Sequence, residues 1–158
     1  MSKWLKAGLI LAAMLIVIQA VRPNRTNPRT DPRMHILASM AVPQNVDSIL
    51  NRSCSDCHSN ETAWPWYSNV APVSWLVSYD VFAGRKALNF SEWKKRDPNK
   101  TRETLHEVCK EMTDGEMPGF AYRMMHPEAR ITTADTEVVC TWTRSFPASE
   151  AAQVDPQE

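Results

Sequence analysis

Two cysteines and a histidine stand close together in the run Cys54-Ser55-Asp56-Cys57-His58. Cys-x-x-Cys-His is the pattern to which c-type haem is attached. Two thiols at this spacing can reach the two vinyl groups of a porphyrin, and the histidine that follows then lies under the iron as its proximal ligand. The run therefore predicts one covalent haem c, attached through Cys54 and Cys57, with His58 as an iron ligand.

Other kinds of site also use closely spaced cysteines. A thioredoxin-like Cys-x-x-Cys belongs to a βαβ unit, and the sequence shows no such pattern. A zinc site of four cysteines normally brings a second close pair, whereas Cys109 and Cys140 are far apart. A simple disulfide between Cys54 and Cys57 leaves His58 without a role. Haem attachment accounts for all three residues of the motif.

The segments that must position this motif have helical patterns. Apolar residues recur at helical spacing from Val46 into the motif, and again over predicted helices at 74–86 and 101–112. Thr101 is expected to be an N-cap, and Thr132–Asp135 resembles a capping box that begins the last helix. We find no internal repeat and no convincing strand. The predicted fold is all-α, a helical domain around one haem.

The first 21 residues are predicted to be a membrane anchor or an export signal. The apolar run over residues 4–21 is about 18 residues long, between a signal-peptide core and a minimal membrane helix. Ile18 stands where a processing site needs a small residue, which favours an uncleaved anchor that meets the membrane through residues 4–21. Cleavage, which would leave a soluble periplasmic protein, is the alternative.

The rest of the chain divides by composition. Residues 22–42 are polar and interrupted by prolines, which predicts a linker with a reach of about 25 Å if it is flexible. Residues 43–146 form the predicted haem c-binding domain, and residues 147–158 a disordered tail. Lys plus Arg and Asp plus Glu both number 18, so no basic excess indicates binding to nucleic acid.

A longer pattern surrounds the haem motif. Residues 54–75 read CSDCHSNETAWPWYSNVAPVSW, and Gly84-Arg85 and Leu88-Asn89-Phe90-Ser91 follow. This pattern resembles the bacterial haem-binding domain family, whose members are small, exported, single-haem proteins related in layout to cytochromes c. The resemblance covers about residues 46–142 and implies haem attachment and an extracytoplasmic location, but no reaction. The chain departs from the pattern at Gly119, where a second proline is expected, and in its two later cysteines.

Two features of the sequence predict opposite orientations in the membrane. Four arginines follow the apolar run, and the positive-inside rule would place them in the cytoplasm: Arg22, Arg25, Arg29 and Arg33. Haem c, however, is attached only after export. We therefore expect a single-pass protein of the bacterial cell membrane, with the haem domain in the periplasm or outside the cell.

A sixth iron ligand is expected from the loop before the last helix. Met117 precedes Pro118, which would stiffen the loop, and a thioether opposite histidine raises the reduction potential of haem. The Met-Pro arrangement also occurs late in many cytochromes c, which supports Met117 through the resemblance. An open sixth position stays possible, and other ligands within reach are Met112, Met124, Met125 and His126.

Aromatic residues after the motif are candidates for the wall of the haem pocket: Trp64, Trp66, Tyr67 and Trp75. By excluding water they would favour the reduced, less charged iron, although the same residues could equally be ordinary core aromatics. Arg85 is a candidate partner of a haem propionate, with solvation at a helix end as the alternative.

Cys109 and Cys140 flank the Met117 loop. In an oxidising compartment a disulfide between them would close a loop of about 31 residues and restrain that loop. The alternative is a pair of buried free thiols.

These features favour an electron carrier over an enzyme. With both axial positions filled, the iron would change valence with little rearrangement and exchange electrons with a redox partner, expected to be membrane-bound. A ligand sensor or a peroxidase-like protein is the alternative, in which His126 or Arg123 would act at an open or displaceable sixth position. A permanent subunit of a membrane electron-transfer complex would fit the anchor equally well.

Overall fold

The computed structural model describes residues 2–146, and the predicted tail at 147–158 lies outside them. Over the described residues the regular elements are helical, which confirms the all-α prediction. The α-helices are α1 Lys3–Ile18, α2 Gln44–Ser53, α3 Ser55–His58, α4 Val73–Ala87, α5 Thr101–Asp114, α6 Phe120–Met125 and α7 Thr133–Arg144. Short 3₁₀ segments lie at Pro32–Met34, Ile36–Ala38, Trp66–Asn69, Phe90–Lys95, Pro98–Lys100 and Pro127–Ala129.

The core lies between α2, α5 and α7. Each helix places apolar residues on one face at helical spacing, so that the three faces meet and exclude water. Burying one Val or Leu side chain contributes about 1.5–3 kcal/mol. The buried residues of these helices and of the segment after α4 are Val46, Ile49, Leu50, Leu88, Phe90, Trp93, Leu105, Met112, Val139 and Trp142.

The ends of the helices follow their caps. The predicted capping box is confirmed, since the hydroxyl of Thr132 accepts from the Asp135 N–H and the Asp135 carboxylate accepts from the Thr132 N–H. The predicted Thr101 N-cap is wrong. The 3₁₀ turn Pro98–Lys100 runs directly into α5, so Thr101 is the first helical residue and no side chain caps the helix.

Two links join the core helices beyond their apolar faces. Arg52 of α2 forms an ion pair with Asp135 of α7 at 2.7 Å. Cys109 of α5 and Cys140 of α7 form a disulfide with their Cα atoms 4.9 Å apart, as the sequence predicted. The loop between α5 and α7, which carries Met117, is therefore closed by a covalent link.

The segment after α1, residues 19–30, lies against the helical domain that follows it. The Gln19 side-chain amide accepts from the N–H of Ala71 at 2.9 Å and donates to its carbonyl at 3.1 Å. The Trp75 indole N–H donates to the carbonyl of Val21 at 2.9 Å. Arg25 donates to the carbonyl of Ser68 at 2.9 Å. In this structure the start of the predicted linker is held by hydrogen bonds.

The end of the predicted linker belongs to the core. Ile36 is 2% exposed and packs with the core residues, and Met40 and Val42 pack against them. One buried isoleucine among prolines gives no hydrophobic period, so the sequence did not reveal it. The α1 helix itself is exposed along its length, and among the described residues no helix has the length and apolar character needed to span a membrane.

Candidate haem site

The three residues of the motif lie on one turn of helix. Cys54 ends α2 and precedes α3, and its carbonyl accepts from the N–H groups of Cys57 at 3.2 Å and His58 at 2.9 Å. The two thiols, both unpaired and half-buried, and the imidazole are thus presented together by a single short element.

Both thiols are protonated at neutral pH. Burial raises the pKa of Cys54 to about 12, and burial together with nearby Asp80 and Asp56 raises the pKa of Cys57 to about 11. Redox-active Cys-x-x-Cys sites instead have depressed thiol pKa values. These two thiols therefore lack the depressed pKa values of a redox-active dithiol.

The imidazole of His58 has a fixed orientation. Its Nδ1 donates to the carbonyl of Leu88 at 3.1 Å, so in the neutral ring Nε2 keeps its lone pair. Burial is the main effect on the pKa of His58 and lowers it, which keeps the ring neutral. A neutral imidazole with a bonded Nδ1–H is the form that ligates a metal ion through Nε2.

Glycine is required where α4 crosses the motif. A Cβ at Gly84 would lie 2.5 Å from the carbonyl oxygen of Cys57, closer than real Cβ contacts come. Glycine allows the two backbones to touch, so α4 lies directly against the turn that carries Cys57 and His58.

Polar residues of the same sequence pattern hold the loop after the motif, although the sequence did not reveal their role. The N–H of Asn60 donates to the Ser91 hydroxyl at 3.0 Å, and the Asn89 side-chain amide donates to Asn60 Oδ1 at 2.8 Å. Asn60 and Ser91 are 2% and 1% exposed. Only their place in the pattern after the haem motif could have indicated them.

Arg85, the predicted propionate partner, bonds to protein groups. Its Nε donates to the carbonyl of Ser59 at 2.7 Å, and one terminal nitrogen donates to the hydroxyl of Thr62 at 2.7 Å and to Asn27 Oδ1 at 2.8 Å. It therefore joins α4, the loop after the motif and the segment after α1. It also lines a groove of about 400 Å³ with Asn60 and Trp64.

The four aromatic residues predicted to wall the pocket are spread around the motif. Trp64 donates to Asn27 Oδ1 at 3.0 Å, and Trp75 donates to the Val21 carbonyl, so both indole N–H groups bond to the segment after α1. Trp66 is 75% exposed. The hydroxyl of Tyr67 instead bonds to His126, in the loop before α7.

A hydrogen-bonded cluster connects that loop to the motif. The hydroxyl of Tyr122 on α6 donates to Asp56 of α3 at 2.7 Å, and its ring stacks on His126 at 4.3 Å between centroids. Nδ1 of His126 donates to Glu128 at 3.0 Å, and Nε2 accepts from the Tyr67 hydroxyl at 2.7 Å. Both nitrogens of His126, one of the alternative iron ligands, are therefore bonded within the protein.

Met117 lies in the loop between α5 and α6. The α5 helix ends at Asp114, and the next residue, Gly115, has a left-handed φ of 72°. The Met117 N–H donates to the carbonyl of Glu111 at 3.3 Å. The Met117 side chain is 45% exposed, and three apolar side chains close to it in sequence are exposed as well: Phe120, Met124 and Met125. Met112, by contrast, is 6% exposed and packs in the core.

The donor set fits a haem. Two protonated thiols and a neutral imidazole lie on one turn, and the Tyr122–Asp56 bond ties the loop with exposed methionines to that turn. A protein family described as a haem-binding domain matches residues 13–145. No protein of curated function and no solved structure matches the chain. Because the family match spans most of the sequence, the chain belongs to the haem-binding domain family.

Proposed function

We propose that this protein is a c-type cytochrome with one covalent haem, which carries electrons on the outer side of a bacterial cell membrane. The observation that carries the proposal is the turn at α3, where Cys54, Cys57 and His58 are presented together and Nε2 of His58 keeps its lone pair. This is the donor set of haem c attachment.

The chain's own residues would hold the haem at defined atoms. The sulfurs of Cys54 and Cys57 would form thioether bonds with the vinyl groups, and Nε2 of His58 would bind the iron. When bound, haem supplies a one-electron couple between ferric and ferrous iron. Burial of the motif keeps the imidazole neutral and limits the access of water.

Met117 is the proposed sixth ligand. Its loop is anchored by the disulfide that joins α5 to α7 and by the Tyr122–Asp56 hydrogen bond. A methionine sulfur favours ferrous iron and so supports electron transfer at a raised potential. The competing ligands Met112 and His126 are engaged elsewhere, in the core and in hydrogen bonds.

The site of action is proposed from the sequence. Residues 4–21 would tether the protein to the membrane or direct its export, and attachment of haem c requires the outer side. A membrane-bound redox partner would then meet the domain near the membrane surface.

A ligand sensor or peroxidase-like protein is the second candidate, because the Met117 side chain is 45% exposed and could be displaced. Arg123 is half-buried on α6, in the same loop region.

Spectra of the purified full chain test both candidates. Haem that stays with the polypeptide under denaturing conditions would establish covalent attachment, and haem that separates would refute it. A methionine-to-iron charge-transfer band that is lost in Met117→Ala but kept in Met124→Ala, without a carbon monoxide shift, supports the carrier. A high-spin ferric spectrum with ready carbon monoxide binding would instead support the sensor or peroxidase.

A further inference from the structure

Two loops meet behind the imidazole of His58. One is Ser59–Asn60, directly after the ligand, and the other is Asn89–Ser91, directly after Leu88, whose carbonyl accepts from His58 Nδ1. We propose that Asn60, Asn89 and Ser91 are positioning residues that set the strength of the His58–Leu88 hydrogen bond, and through it the properties of the iron ligand. The inference rests on the proposed role of His58 as a haem ligand.

The two bonds between the loops have ordinary lengths, and one of them is fully buried. The Asn60 N–H donates to the Ser91 hydroxyl at 3.0 Å, and the Asn89 amide donates to Asn60 Oδ1 at 2.8 Å. Asn89 Oδ1 also accepts from the Ser91 N–H at 3.0 Å, which fixes the turn after Leu88. Because Asn60 and Ser91 are buried, water competes little for the bond between them, and this bond holds the two loops together.

The end of α4 fixes Leu88 from the other side. The Leu88 N–H donates to the carbonyl of Gly84 at 2.8 Å, and Arg85 holds the carbonyl of Ser59 at 2.7 Å. Leu88 is itself 8% exposed. The Leu88 carbonyl, which accepts the hydrogen bond from His58 Nδ1, therefore lies between the end of α4 and the Asn89–Ser91 turn. Both of these are bonded to the Ser59–Asn60 loop.

This arrangement has a chemical consequence at Nε2. A hydrogen bond from Nδ1 fixes the tautomer and ring orientation and makes the imidazole a stronger electron donor to a metal. A stronger donor stabilises ferric iron and lowers the potential. Loosening the two loops would weaken the hydrogen bond between His58 and Leu88. The reduction potential of the haem iron would then rise, and the Nδ1 proton of His58 would exchange faster with water.

The variants are Asn89→Ala and Ser91→Ala, each of which removes one bond between the loops. Thr143→Ala is the control, because Thr143 is buried like Ser91 and its hydroxyl also makes a hydrogen bond to the backbone, donating to the carbonyl of Cys140. Exchange of the His58 Nδ1 proton is followed by NMR in the reduced protein, and the reduction potential is measured by redox titration.

We expect about fivefold faster proton exchange in both variants, the factor that loss of one ordinary hydrogen bond gives, and a higher potential than in wild type. Thr143→Ala should change neither. Folded variants with wild-type exchange and potential would overturn the proposal, as would an equal change in the control. If Asn89→Ala does not fold, Ser91→Ala alone decides.

A second readout separates this proposal from the proposed function. If the purified chain carries no covalent haem, the proposed function fails, and the ¹⁵N shifts of the His58 ring then report its tautomer directly. A dominant Nδ1–H form in wild type that is lost in Asn89→Ala and Ser91→Ala supports the positioning role. The same tautomer in all three chains refutes it.

Discussion

Gly84 of α4 and Cys57 of α3 are in contact through their backbones, with no room for a side chain between them. The α4 helix can therefore lie this close to the haem motif only because residue 84 has no side chain. Because α4 leads into Leu88, this contact also helps to position the Leu88 carbonyl, which accepts the hydrogen bond from His58 Nδ1.

Replacing Gly84 by alanine should destabilise the domain. The added Cβ must push α4 away from Cys57, which costs about 1–3 kcal/mol as overpacking does elsewhere. Urea denaturation of the purified protein measures the loss. Gly119→Ala is the control, since Gly119 has an ordinary φ of −57° and nothing within 4 Å of the added methyl. Equal stability of the Gly84→Ala variant and the wild type would contradict the tight contact.

Removing the disulfide should lower the free energy of unfolding. Cys109 and Cys140 are 31 residues apart, and a cross-link of that span stabilises by about 3–4 kcal/mol through the unfolded chain. Urea denaturation of a Cys109→Ser, Cys140→Ser double variant measures the difference. The haem is kept ferrous by ascorbate in every sample, so that an added thiol reductant acts on the disulfide alone. The thiol reductant should then shift the wild type toward the variant and leave the variant unchanged; a response of the variant would contradict the assignment to this disulfide.

Acid should weaken the link between α2 and α7. Burial raises the pKa of Asp135, but hydrogen bonds from Thr132 and Arg52 outweigh it, and the net pKa lies below the usual value. The unfolded chain binds the proton more readily, so this stabilisation is present above about pH 4 and is lost as pH falls through the folded pKa.

Urea midpoints between pH 2 and 7 test this link. Asp135→Asn should be less stable than wild type at pH 7, and the difference should shrink below about pH 4. Asp114→Asn, which changes an exposed pair with Lys110, should keep the wild-type pH profile. A constant difference between Asp135→Asn and wild type across this range would argue against a role for the charge.

The segment after α1 should resist proteolysis while its contacts hold. Gln19 bonds to both backbone groups of Ala71, and Arg25 bonds to Ser68 and Asn69. A Gln19→Ala, Arg25→Ala double variant should be cut within residues 19–30 several times faster, because the loss of these four hydrogen bonds populates the detached segment. Arg29→Ala, at an exposed position, should be cut at the wild-type rate.

Sequence patterns predicted the helices that carry an apolar face. The periods at Val46–Leu50 and Leu105–Met112 place these residues in the core, and the Thr132–Asp135 capping box begins α7 where expected. The Cys-x-x-Cys-His pattern also gave the haem motif, and the placement of Cys109 and Cys140 on the helices that flank the Met117 loop gave the disulfide. These signals are local or depend on residue type alone, which is why they could be recognised without a structure.

Contacts between distant segments could not be predicted in this way. Trp64, Trp75 and Arg85 are of residue types expected around a haem, yet their polar groups bond to the segment after α1. That segment is polar and contains several prolines, so it has the pattern of a free linker. Its docking depends on single hydrogen bonds whose partners lie about 35 to 58 positions away.

The disulfide turns residues 109–140 into a closed covalent ring that contains Met117, α6 and His126. A single peptide-bond cleavage within this ring would therefore leave one molecule of unchanged composition apart from an added water. Its two fragments would separate only on reduction. Damage to the exposed Met117 loop in an oxidising compartment would thus leave the fragment with α7 attached to the fragment with the haem motif.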